Sequence, residues 1–219
     1  VGTKQGFSII KWTGTGSAES ISHGLQQAPN FIILKETNKT ADWSVYTTVI
    51  DGSYDYLHFD TPSGTKNDSS YASPTSSVFT YGADLNDLCI GYIWHDVPGL
   101  QKFGSYVGNG NSEGNFIELD FKPKIVWTKC TSHAGDWIMK DTTRYTSNRF
   151  DPGNTLVINV ANKEDDYYSS GQVQMDILSN GFKLRHAGGP LNDSGRTYIY
   201  CAWAEAPRAN LYGADTNAR

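Results

Sequence analysis

No apolar run in the 219-residue chain approaches the ~20 residues that a membrane-spanning helix needs. Positive charge is scarce as well. The 18 Lys and Arg stand against 23 Asp and Glu, a formal net charge of −5, so no basic field exists to attract a phosphate backbone. Neither nucleic acid nor membrane insertion is therefore expected. Cysteine is limited to Cys89, Cys130 and Cys201. An odd number leaves at least one thiol unpaired, and no C-x-x-C or Cys/His spacing of a metal or redox site accompanies them. Each sits in an apolar, strand-like run as a small hydrophobe. No disulfide framework, cofactor or metal site is expected. Missing too is any apolar i, i+3, i+4, i+7 pattern sustained over three turns, which excludes an amphipathic helical architecture. The N-terminus lacks a basic-then-apolar signal sequence. Because the first residue is Val1 and not Met, the chain reads as a mature fragment or excised domain, and the missing signal carries no information about compartment.

What the chain has is aromatic and glycine-rich. Aromatics make up 13%, Tyr (13) outnumbers Phe (9), Gly reaches 22, and charged residues are 19%. That mixture suits pleated, half-buried strands and tight turns. A self-comparison reveals an internal match. Trp12, Gly14, Gly16, Pro29, Lys35, Asp42 and Trp43 correspond to Tyr106, Gly108, Gly110, Pro123, Lys129, Asp136 and Trp137, all 94 positions on. Further along the displacement grows: Phe79 matches Phe182, and Trp94 and Pro98 match Trp203 and Pro207.

Short apolar runs at 7–12, 31–34, 43–49 and 88–94 in the first half, and at 102–107, 116–121, 125–127, 156–160, 173–178 and 198–204 in the second, read as strands. Ile117, Leu119 and Phe121 alternate with Glu118 and Asp120, the period of a strand with one face in a core. Turn chemistry at Asp51-Gly52, Asn109-Gly110, Asp151-Pro152-Gly153 and Asn180-Gly181 separates the runs. The expected fold is all-β with little helix. It comprises two tandem, diverged repeats of an antiparallel β-sandwich-like unit, at 1–99 and 100–207, followed by a C-terminal tail at 208–219. Two separate sandwiches and one pseudo-symmetric sandwich both fit.

Residues held in common by the halves report on the fold. Trp43 and Trp137 are accordingly read as core, and Asp42 and Asp136 as turn caps, although an exposed Trp beside a carboxylate could stack on a sugar. The segments that differ are better candidates for a site. Residues 51–74 hold Tyr54, Tyr56, His58, Asp60 and Tyr71 among Ser, Asn and Gly, and residues 141–171 hold Arg144, Tyr145, Arg149, Tyr167 and Tyr168. Tyr with Ser, Gly and Asn suits recognition loops, while solvated connections or edge strands share that composition.

Catalysis finds little support. Glu118 and Asp120 would project about 7 Å apart from one strand face and resemble the Glu-x-Asp-x-x-Glu strand of laminarinase-like β-sandwich glycosidases. Pro123 occupies the place of the third carboxylate, so a glycoside hydrolase is a remote alternative. No His lies in a nucleophile-elbow context. Glu164-Asp165-Asp166 lacks the alternating oxygen ligands of a Ca2+ loop. The chain is not expected to be an enzyme.

Several stretches resemble a known family: Gly6-Phe7-Ser8-Ile9-Ile10-Lys11-Trp12-Thr13-Gly14-Thr15-Gly16, Ser22-His23-Gly24-Leu25 with Ala28-Pro29, and Lys102 to Gly110. Ser179 to Arg185, Tyr198 to Pro207 and Asn217-Ala218-Arg219 continue the likeness. It is to the C-terminal region of large bacteriophage tail proteins, notably marine and cyanobacterial ones, and it covers nearly the whole chain. The resemblance implies an exposed, extracellular place on the virion tail rather than a mechanism. By analogy it implies a tail-fibre or tail-tip adhesin that binds a host-surface glycan or protein alongside other tail proteins. A homo-oligomer, a trimer first, would give weak sites avidity. The alternative is a structural domain of tail or capsid that binds no receptor.

Overall fold

The computed structural model describes residues 4–62, 64, 66–67 (backbone), 71–82, 85–144, 148, 155–162 and 172–206. The chain divides into two compact units, one formed by Val1–Asp60 with Thr65–Val97 and the other by Thr61–Gly64 with Pro98–Arg219.

The first unit contains β1 (Phe7–Thr13), β2 (Glu19–Ser22), β3 (Phe31–Glu36), β4 (Ser44–Thr47), β5 (Asp55–His58), β6 (Lys66–Asn67), β7 (Val78–Tyr81) and β8 (Leu88–Trp94). Six of them form an antiparallel sheet in the order β1-β8-β3-β4-β5-β6, and β2 pairs with β7. Alternation along the strands sends Ile32, Leu34, Tyr46 and Ile93 of the large sheet into one core with Phe79 and Tyr81 of the small one. Each fully buried Phe, Leu or Ile in such a core contributes about 1.5–3 kcal/mol relative to exposure.

The second unit contains β9 (Gln101–Val107), β10 (Phe116–Glu118), β11 (Pro123–Cys130), β12 (Trp137–Asp141), β13 (Leu156–Val157), β14 (Met175–Leu178), β15 (Gly181–Leu184), the short helix α1 (Gly189–Asn192) and β16 (Thr197–Ala204). Its large sheet runs β13-β12-β11-β16-β9 and its small one β10-β15-β14. Val126, Ile138, Tyr198 and Ala202 meet Phe182 and Leu184 in the core. The fold is all-β and sandwich-like, with α1 the single helix among the described residues.

Apart from β6, the large sheets have the same strand order, β1-β8-β3-β4-β5 and β9-β16-β11-β12-β13, and their registers coincide. Trp94 lies opposite Phe7 and Phe31, and Trp203 lies opposite Gln101 and Ile125. Phe31 faces Thr47, as Ile125 faces Asp141. The Gly-x-Gly turns do the same work in both units. Gly14 and Gly16 donate to Asp87 and Leu85, and Gly108 and Gly110 donate to Arg196 and Asn192.

Differences from the sequence reading are local. Of the four shared tryptophans only Trp137 is fully buried, while Trp43, Trp94 and Trp203 are half-buried. Residues 51–74 are not all connection, because β5 inserts Asp55–His58 into the large sheet. Its apolar residues are too few to mark it: the Leu57 side chain is buried beside polar neighbours. Residues 116–121 alternate in burial as expected, yet β10 ends at Glu118 and Asp120 has φ 63. Glu118 and Asp120 therefore do not share one regular strand face. All three cysteines are buried.

Candidate functional site

Of the candidate tyrosines, Tyr54, Tyr56 and Tyr71 build a packed aromatic cluster around Tyr46. Tyr46, which the sequence did not single out, stacks on Tyr54 at 5.3 Å and touches Tyr56 at 5.1 Å and Tyr71 at 6.5 Å. Tyr54 is only 4% exposed, which corrects its assignment as an exposed contact ring. Burial, with Tyr46 beside it, holds its hydroxyl well above the ordinary phenol range. Tyr56 and Tyr71 are half-buried against the same core. Arg144 is exposed in the turn after β12 and pairs with Asp141, whose carboxylate also accepts the backbone N–H of Thr143 and Arg144. Tyr145, Arg149, Tyr167 and Tyr168 lie outside the described residues, as do Glu164, Asp165 and Asp166.

His58 and Asp60 are brought together with Asp42 from the preceding strand connection. The β4–β5 ladder sets Ser44 opposite His58 and continues as Phe59 N–H donates to Trp43 C=O at 2.7 Å. The next pair in that register is Asp42 and Asp60. His58 Nδ1 lies 3.3 Å from Asp42 Oδ2, and Tyr56 Oη lies 3.5 Å from His58 Nδ1. One ligand atom from each of Asp42, His58 and Asp60 falls within 4.8 Å of the other two. Asp60 Oδ1 is buried without a hydrogen-bond partner.

The second unit answers the same place differently. Ile138 faces Val157 across β12–β13, and Ile158 N–H donates to Trp137 C=O at 2.9 Å, so Asp136 and Asn159 occupy the positions of Asp42 and Asp60. There Asn159 Nδ2 donates to Asp136 Oδ1 at 2.7 Å, and Asn159 Oδ1 accepts the Trp137 N–H at 2.7 Å. Val157 stands where the first unit has His58.

A cavity of about 260 Å³ opens in the second unit, lined among others by Cys130, Gly135, Asp193, Arg196 and Tyr198. Arg196 and Asp193 pair at 2.8 Å on its wall. Beside it, Lys129 is fully buried, and burial pulls its ammonium down to about 8 against the pull of Cys130 and Asp136. Its Nζ donates to the carbonyls of Gly135 at 2.7 Å and Cys130 at 3.0 Å. Lys35 makes the corresponding bond to Glu36 C=O at 2.7 Å. The two lysines thus brace equivalent turns, each donating to the carbonyl of the residue that follows it.

A family model described as a domain of unknown function, DUF7483, matches residues 1–207, a span that takes in both units. No curated protein and no solved structure matches the chain.

Proposed function

The chain belongs to the DUF7483 family, and we propose that it is a tail-fibre or tail-tip module of a bacteriophage that binds a glycan or protein on the host surface. The observation that carries this reading is one strand frame, laid down with the same order and register in both units, joined by segments of unrelated sequence. Those segments run from β4 to β7 and from β12 to β14, each passing through one strand of the frame, β5 or β13. On this reading the units are diverged copies of one scaffold, and change is concentrated in the connections, where recognition is usually carried. The resemblance to phage tail proteins supplies the virion address by analogy. The cavity of about 260 Å³, with the Arg196–Asp193 pair on its wall, is smaller than drug-sized ligand sites and has room for no more than a single sugar residue.

A structural role in the tail or capsid is the second reading. It is favoured by Ile9 and Val107, 51% and 55% exposed, each on a strand at the edge of its sheet. An edge strand with exposed apolar residues is a template for pairing with another chain. Staining of susceptible cells with the fluorescently labelled chain, followed by a glycan array, separates the readings. Saturable staining and selective array binding are expected of an adhesin. No staining of any susceptible host transfers the assignment to assembly.

A further inference from the structure

We infer that Asp42, His58 and Asp60 bind one divalent transition-metal ion, Zn2+ or Mn2+, at the β4–β5 end of the first unit. The inference is independent of the receptor-binding reading. It begins with a like-charge problem: the β4–β5 register sets two carboxylates opposite one another, an arrangement that destabilises a sheet. The second unit removes the problem by having Asn159 in place of one of them, and the carboxamide donates straight to Asp136. In the first unit the second carboxylate is retained and an imidazole is added, so the internal hydrogen bond is given up. Asp60 Oδ1 is left buried with nothing to accept from. A buried carboxylate oxygen without a donor is a ready ligand for an ordered water or a cation, and the carboxylate of Asp42 and the imidazole of His58 beside it favour the cation.

The donor set fits such an ion. Two ligand atoms about 2.1 Å from one metal lie roughly 3.0–3.4 Å apart in tetrahedral or octahedral geometry, and His58 Nδ1 and Asp42 Oδ2 are 3.3 Å apart. Asp60 needs only to turn its carboxylate inward from within 4.8 Å. A ligating imidazole is neutral, so the set carries two negative charges, which a divalent ion cancels. One nitrogen with two carboxylates suits Zn2+ or Mn2+ better than Ca2+, which takes six to eight oxygens. The Asp42 side chain is 60% exposed and that of His58 13%, so the ion enters from solvent and keeps open positions for water.

The full chain stripped with EDTA and dialysed against Zn2+ or Mn2+ should retain one ion, by elemental analysis, and melt at a higher temperature than in EDTA. Asp42→Asn and Asp60→Asn should each weaken retention by at least the ~10–100-fold that outer-sphere changes alone cost. In EDTA, Asp60→Asn should melt no lower than the unaltered chain, because it installs the carboxylate–carboxamide pair already present at Asp136 and Asn159. Failure of the unaltered chain to retain either ion at millimolar concentration overturns the inference. So does undiminished retention by both variants, which would put the ion elsewhere.

Discussion

Gly14 and Gly108 are glycines because the backbone passes too close to admit anything else. A Cβ on Gly14 would meet Leu85 O at 2.2 Å, and one on Gly108 would meet Asp193 O at 2.2 Å and Asn192 C at 2.9 Å. The obstructing atoms are main-chain atoms tied into the same turn, since Gly108 donates to Arg196 at 2.8 Å and accepts from Gly195 at 2.9 Å. Neither partner can yield without breaking a hydrogen bond. Gly108→Ala should therefore cost about 1–3 kcal/mol, the range for forced overpacking, measured as a lowered midpoint in urea with an unchanged slope. An unaltered midpoint would mean that the turn is looser than this geometry. These glycines were legible in the sequence as a shared Gly-x-Gly, whereas their partners, more than 70 residues away, were not.

At the scale of the element, β5 is where sequence reasoning came up short. A run of Asp55, Tyr56, Leu57 and His58 has one aliphatic residue, so it carries almost no strand signal, although its burial alternates along the strand. Pairing with β4 supplies what local composition does not. The site residues suffered the same way: His58 and Asp60 were picked for their surroundings, but Asp42 was read as a turn cap because only the ladder sets it beside them. The strand also holds Asp55, 2% exposed, with Oδ2 unpartnered. Burial first, and then the nearby Asp51 charge, push its carboxyl up to about 6 from 3.8, with Ser53 pulling the other way. Between about pH 4 and 6 the folded chain thus holds more protons here than the unfolded one, and this group's contribution to stability falls as pH rises. Asp55→Asn should raise the melting temperature at pH 7.5 and change it little at pH 4. The buried His23 works in the opposite sense, because burial lowers its pKa and its contribution is lost on acidification. The difference between variant and parent melts cancels His23, and a difference that does not vary with pH would refute the assignment to Asp55.

Across the whole molecule, what was readable was the pattern that two stretches of one chain had in common. Matching Pro29 with Pro123, Trp43 with Trp137 and Trp94 with Trp203 requires no contact information. It nevertheless anticipates that β1-β8-β3-β4-β5 and β9-β16-β11-β12-β13 run in the same order. Burial was less legible, because an equivalent residue need not have equivalent neighbours: Trp137 is fully buried and Trp43 only partly. An experimental structure should superpose the two five-strand frames with Phe31 on Ile125, Val45 on Met139 and Trp94 on Trp203. The alignment should keep one displacement through β1, β3 and β4, and take larger ones at β5 and again at β8. Register carries the argument, since a slip by one residue in any strand would turn its apolar set to the other face. Fused strands, a changed order or a one-residue slip between the frames would end the reading of the units as copies of a single scaffold.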